Sequence, residues 1–350
     1  MKLLQFFYLH LFVFTTPSDC KNHSDCFSKG NQVAIDPIKV TIMIPTYNQA
    51  TYICEAVESA LAQNYPYLEV IVGDDASTDA TMEICRKINN PRLRYIRNVS
   101  NLGRVANYRN LLFNHSSGDY VVNLDGDDFY TSNDFISEAV KCLGNNEPEV
   151  VMVVAKATRK SREGEWTSEI SNRNECSGLQ ILSRLPKKEY LMMHMAVVYS
   201  RKHALEANFY RIDAISSDWE SLFRLSLRGV VKFLDKNIGI WRIHDRNETG
   251  TTDPEKHLVN LTIWQSIYKE SINFGMNPIV ANIMCARCVA YFAQSSCAIV
   301  SKDGNMVLVR FALLVINKYK LAALFLMFTP SYIGRLLLCL MGYYRRKNLR

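Results

Sequence analysis

What most restricts the fold of this chain is an alternation. Short, nearly continuous apolar runs at residues 38–44, 68–72 and 93–97, and a fourth ending at Asp125, are separated by stretches with helical spacing. In residues 50–64, Ile53, Val57 and Leu61 share a face while Glu55 and Glu58 point outward. A second helix is expected over about 79–89, capped by Ser77 or Thr78 with Asp79 at its positive end, and a third over 104–114. Strands that are apolar on both faces and alternate with helices need cover on both sides, which is the condition for a mostly parallel α/β sheet. Ligands of such sheets bind at the carboxyl ends of the strands, so the loops after these runs become the candidate site.

Those loops are chemically loaded. The fourth run ends in Asp125-Gly126-Asp127-Asp128, three carboxylates within four positions. Unpaired carboxylates this close repel one another unless a cation or a donor-rich ligand offsets them. A hard divalent ion suits a short D-x-D, because Mg²⁺ takes one or two protein carboxylates and completes its shell with water and phosphate oxygens. An acidic turn chosen for its geometry is the plainer alternative. After the first run stands Pro45-Thr46-Tyr47-Asn48, and after the second Gly73-Asp74-Asp75-Ala76-Ser77. A glycine-turned backbone, an accepting acid and a stackable ring together outline a nucleoside pocket. Neither the G-x-G-x-x-G fingerprint after the first strand nor a G-x-x-x-x-G-K-[ST] loop occurs, so phosphates would need a metal instead.

Five segments in order, I-P-T-Y-N, E-A-V-E-S-A-L-A-Q-N-Y-P, V-I-V-G-D-D-A-S-T-D, N-L-G-R and D-G-D-D, resemble the family 2 glycosyltransferases over residues 38–245. The resemblance implies a GT-A fold and inverting transfer from a nucleotide sugar, with a UDP-sugar as the first candidate, assisted by Mn²⁺ or Mg²⁺. It also implies roles. Tyr47 and Asp75 would hold the nucleobase beside Pro45, and Arg109 would lie near the base or phosphates. Asp127 would coordinate the metal, with Asp125 and Asp128 supporting ribose, sugar or metal.

In the second half, residues 149–155 and 195–200 read as strands, and the polar stretch 156–175 between them as a mobile loop over the site. Ser216-Ser217-Asp218-Trp219-Glu220 opens an apolar helix, where an acid commonly serves the helix terminus. The resemblance makes Asp218 the catalytic base with Glu220 in reserve, although Ser217 stands where the family usually has an acid. It likewise brings His244, in Trp241-Arg242-Ile243-His244, to the diphosphate or metal.

Charge separates the ends of the chain. Of the net +7, residues 301–350 carry +8, with nine Lys/Arg against Asp303, so no basic face for nucleic acid is spread over the domain. The helical, basic residues 246–350 are read as a membrane-associating region lying in an anionic surface, because charges and Pro330 interrupt the apolar runs. Residues 1–37 are read as an apolar segment and linker. Ten cysteines with a single C-x-x-C, at Cys285 and Cys288, suggest thiols kept reduced in a cytosol. The expected protein is thus peripheral, on the inner face of a membrane, with residues 38–130 binding donor and 131–245 binding a saccharide or lipid-linked acceptor. A sugar nucleotidyltransferase and a non-catalytic membrane-bound scaffold are the competing readings.

Overall fold

The computed structural model describes residues 37–144, 149–245 and 247–322. The four apolar runs become β1 (Val40–Thr46), β2 (Leu68–Asp74), β3 (Leu93–Arg97) and β4 (Tyr120–Asn123), parallel in the order β3-β2-β1-β4. Every residue of β1 and β2 is buried, which explains why neither shows the alternation of a half-exposed strand. The connecting helices are α1 (Ile53–Leu61), α2 (Thr81–Lys87) and α3 (Arg104–Asn110), the last running into a π turn at Leu111–His115.

The expected cap of α2 is corrected. Its first turn is preceded by Ala80, and the polar residues before it tie two loops together instead. Ser77 Oγ accepts the Asn48 N–H at 2.9 Å, Thr78 N–H donates to Asn48 Oδ1 at 2.7 Å, and Asp79 accepts the Ala50 N–H at 3.0 Å.

The sheet continues through β5 (Phe129–Tyr130), β6 (Val150–Ser161), β7 (Gly164–Thr167), β8 (Glu175–Ser177), β9 (Val197–Ser200) and β10 (Val230–Arg242). Beyond β4 the order is β9-β6-β10-β5, with β9 antiparallel to both neighbours and β10 parallel to β6. The loop expected over 156–175 is corrected to a hairpin. β6 runs on to Ser161 and returns as β7, pairing Arg159 with Trp166. Helices α4 (Phe135–Leu143), α5 (Gly178–Leu182), α6 (Arg201–Glu206) and α7 (Ser217–Ser226) cover this half.

Three longer helices complete the described chain: α8 (Pro254–Asn273), α9 (Pro278–Val300) and α10 (Asn305–Lys318). The first two begin with proline at the first turn behind an Asp253 or Asn277 cap. Their apolar faces do not form a surface. Leu261, Trp264, Ile267, Val289, Phe311 and Val315 belong to the same buried cluster as Val151, Tyr199 and Phe223. Trp264 stacks on Phe292 with centroids 4.7 Å apart, and Trp219 packs against both. The reading of this region as lying in a membrane surface is corrected for 254–322, where packing against the domain takes up the apolar stripe; residues 323–350 lie outside the described residues. With the turn that follows it, α9 is the one helix among the described residues long and apolar enough to cross a membrane, and half of that window is buried inside the protein.

Candidate active site

The strand order reverses beside β1: β2 and β3 follow on one side, β4 on the other. At such a switch point the loops leaving the strand ends diverge and open a crevice. A cavity of about 640 Å³ lies here, lined by Pro45, Tyr47, Asp75, Asp125, Asp127 and Asp128 from the parallel half and by Asp218 from the other. These candidates, 173 positions apart at the extremes, share one space.

Of the two consecutive acids after β2, only Asp75 lines the cavity. Asp74 is turned into the sheet, where Ser77 N–H and Arg97 donate to it at 2.8 and 2.7 Å. Asp75 is 2% exposed and accepts from Asn98 Nδ2, Leu102 N–H and Gly103 N–H at 2.8, 2.8 and 2.9 Å. It thereby fixes the loop ahead of α3 as a wall. Tyr47, 46% exposed, stands at the mouth.

The acid loop is held from both sides. Gly126 leaves room for β1, because a Cβ there would collide with the Gln49 amide and crowd Thr46. From β10, Arg242 donates its N–H to Asp128 Oδ1 at 2.8 Å and its guanidinium to the Asp127 carbonyl at 2.6 Å. Just beyond β10, His244 Nε2 lies 2.9 Å from Asp127 Oδ2, and its ring stacks on Tyr52 at 5.3 Å. Tyr108 donates its hydroxyl to Asp125 Oδ1 at 2.7 Å. Burial, and then the charge of Asp127, pushes the Asp125 carboxyl up to about 7. Asp128 is pushed well above the ordinary carboxylate range by burial and by both neighbouring acids. Carboxyls whose ionised forms disfavour one another in this way are a place where a cation is welcome.

Asp218 sits in the first turn of α7, and burial raises its carboxyl to about 6 against the opposing pull of Arg104. Arg104 escaped the residue-by-residue reading, although N-L-G-R contains it. Its guanidinium lines the cavity, donates to the Ala214 and Ile215 carbonyls at 2.8 and 3.0 Å, and stands 5.5 Å from the Tyr108 ring. Trp166 and Trp241 also face the cavity and were not singled out. A tryptophan in a charged stretch was the available signal for the first.

Two expectations are corrected. Arg109 does not line the cavity: it donates to the Phe209 carbonyl at 2.6 Å and lies over the Phe113 ring at 4.1 Å. It sits on the face of α3 that packs on the second half, away from the loop that Asp75 holds. Glu220 is fully buried and accepts from Arg224 Nε, Arg211 Nε and Ser266 Oγ at 2.7, 3.0 and 2.6 Å. Two residues after Asp218 on a helix, it points to the opposite side, so it cannot meet a substrate in the cavity.

Comparison with known proteins bears on the family and the fold. Residues 41–206 match the family model for glycosyl transferase family 2. Over 122 residues the chain is 30% identical to the poly(ribitol-phosphate) beta-N-acetylglucosaminyltransferase TarS of Staphylococcus aureus strain Mu50, covering 34% of this chain and 21% of that protein. The match thus spans about a fifth of that relative's length. The structure of S. aureus TarS residues 1–349 in complex with UDP-GlcNAc matches with a TM-score of 0.62 at 17% identity, covering 87% of this chain and 92% of that one. A mannosyltransferase of Pyrobaculum calidifontis in complex with GDP-Man and Mn²⁺ matches with a TM-score of 0.52 at 20% identity, covering 89% and 90%.

Proposed function

Since this chain belongs to the family 2 glycosyltransferases and has their GT-A-type α/β fold, we propose that it moves a glycosyl group from a nucleoside diphosphate sugar to an acceptor hydroxyl, with inversion at the anomeric carbon. One observation carries this reading: the acid loop after β4 and Asp218 on α7 face a single cavity. Asp218 takes the proton of the acceptor hydroxyl, whose oxygen attacks the anomeric carbon as the bond to the diphosphate breaks on the opposite side. A carboxylate raised to about 6 is ionised at neutral pH yet basic enough to accept that proton. Arg104 keeps the 214–215 backbone in place ahead of the base and adds a positive charge between Asp218 and Asp125.

Asp127 and His244 fit a divalent cation, Mn²⁺ or Mg²⁺, because a carboxylate and an imidazole 2.9 Å apart beside two further acids supply few protein ligands and leave the rest of the shell to water and phosphate oxygens. When bound, such an ion offsets the charge that develops on the departing diphosphate. That Tyr47 and Asp75 line the cavity supports them as its nucleobase side, and Trp166 and Trp241 offer flat apolar faces to a saccharide acceptor. The solved structures of similar fold with UDP-GlcNAc and with GDP-Man and Mn²⁺ support the donor class.

The named activity of TarS, on poly(ribitol-phosphate), supports a polymeric or lipid-linked surface saccharide as acceptor. The five basic residues of 323–350 support peripheral attachment to the cytoplasmic face of an anionic membrane. The test is a thermal-shift screen of UDP- and GDP-sugars with Mn²⁺, followed by release of nucleoside diphosphate from the best ligand. Stability that rises with concentration of one sugar nucleotide supports the reading. Failure of every sugar nucleotide to bind overturns it.

A further inference from the structure

The cavity has a polar wall that the steps above do not use. His194 opens the short turn His194–Ala196 ahead of β9 and lines the cavity, and its Nε2 lies 3.0 Å from the Tyr210 hydroxyl. The Tyr210 hydroxyl donates to Asn123 Oδ1 at 3.0 Å, and the Tyr199 hydroxyl donates to the same oxygen at 2.9 Å. A phenol carries one hydrogen. With Asn123 Oδ1, the Tyr199 hydroxyl at 3.2 Å and His194 all within reach of Tyr210, Nε2 is engaged by this network whichever atom carries the hydrogen, and Nδ1 is the ring nitrogen left over. Among the described residues Nδ1 has no protein partner, and its side chain lines the cavity.

Three further observations support a built arrangement. Burial, aided by the Arg104 charge, brings the His194 imidazole down to about 3, so it stays neutral at any physiological pH. Tyr210 holds a left-handed backbone, φ +56°, which is unusual for a bulky residue, and its N–H is secured by Ser221 Oγ at 2.9 Å. The relay sits between the two chemical poles of the cavity. The Tyr108 ring, whose hydroxyl holds Asp125, meets His194 edge-on at 5.4 Å, while Arg104 bears on both Asp125 and Asp218. A sugar being transferred has to lie between the leaving diphosphate and the base, which is where His194 looks.

We infer that His194 is a specificity-determining residue whose Nδ1 hydrogen-bonds a hydroxyl of the donor sugar, with Tyr210 and Asn123 as positioning residues that hold the ring. The inference rests on the glycosyl-transfer reading and adds to it a discrimination: a sugar lacking a hydroxyl at that position leaves Nδ1 unmatched.

Calorimetric titration of the full chain with Mn²⁺ tests it, using UDP, GDP, UDP-GlcNAc, UDP-glucose and GDP-mannose as probes. For the sugar nucleotide that the unmodified protein binds best, His194→Phe is expected to weaken binding about five- to tenfold and to leave the free nucleoside diphosphate within about twofold. His194→Asn, which restores a hydrogen-bonding group near the Nδ1 position, should recover most of the loss. Tyr210→Phe should fall between the two in the ratio of sugar-nucleotide to nucleotide affinity, a ratio that general loosening of the fold does not move. Equal effects on nucleotide and sugar nucleotide, no effect on either, or a change confined to the acceptor KM would each overturn the assignment. If the unmodified protein binds nucleotides but no sugar nucleotide, the functional reading itself fails, and that result is separate from any variant.

Discussion

His244 Nε2 and Asp127 Oδ2 lie 2.9 Å apart although 117 positions separate them in the chain. The contact joins the loop after β4 to the end of β10, and Arg242 reinforces it by donating to the Asp127 carbonyl and to Asp128. One strand end therefore carries the acids and another carries the imidazole.

Asp127→Asn keeps a hydrogen-bonding group beside His244 but removes the negative ligand. Mn²⁺-dependent affinity for UDP should fall by at least about 100-fold, since even outer-shell changes at metal sites cost about 10- to 100-fold. Thermal stability without metal should hold or rise, because repulsion on Asp125 and Asp128 is relieved. Titration of UDP with and without Mn²⁺ is the measurement, and equal metal-dependent affinity in the two proteins counts against Asp127 as ligand.

Asp218→Asn removes the proposed base without changing its shape. Transfer should drop by about 10² to 10⁴, the usual range for a general base, while donor affinity stays within about twofold. Near-normal transfer in this variant would mean that another group takes the proton.

The pH dependence follows from the same residue. With its carboxyl at about 6 in the folded protein, transfer should climb through pH 6 and level off above pH 7. Stability runs the other way. Between pH 4 and 6 the native state keeps a proton that the unfolded chain has already released, so this group's contribution declines as pH rises across that window. Above pH 6, Asp218→Asn should be more stable than the unmodified protein by on the order of 2 kcal/mol, and the two should converge near pH 4. Urea midpoints at pH 4 and 7.5 decide it; parallel curves would rule out the buried-carboxyl account.

Glu220→Gln should act on stability and not on chemistry. The residue is fully buried with Arg224 one turn away, Nε to Oε1 2.7 Å, and removing one charge strands the other at a cost of about 3–5 kcal/mol. Turnover per folded molecule should be unchanged. Loss of activity at full stability would restore Glu220 as a candidate base.

Cutting the chain after residue 303 should destabilise it. Leu308, Phe311, Ala312 and Val315 of α10 are buried in the main cluster. Each large apolar side chain removed from that contact costs about 1.5–3 kcal/mol. A chain ending at 322 should keep its donor affinity, since the cavity-lining residues all precede that point. If membrane attachment rests on the remaining basic residues, the shorter chain should also lose salt-sensitive pelleting with anionic vesicles. Equal pelleting of both forms would exclude a role for residues 323–350.

The sequence by itself determined the parallel half of the protein and the chemistry of its loops. A fully buried strand must be apolar at every position, so residues 38–44 and 68–72 could be read without any partner in view. The cluster Asp125, Asp127 and Asp128 was equally legible, because its neighbours in space are its neighbours in the chain. Tertiary structure alone decided which side chains look into the cavity. Asp74 and Asp75 are adjacent and alike, yet opposite faces of one strand send the first into the sheet and the second to the site. Two positions along one helix, a rotation of about 200°, separate Asp218 from Glu220 in the same way. The fate of the last helices was hidden for a further reason: an apolar stripe suits a membrane surface and a protein core equally well. Only the facing residues, here Trp219 and Phe223 against Trp264 and Phe292, establish which one it meets.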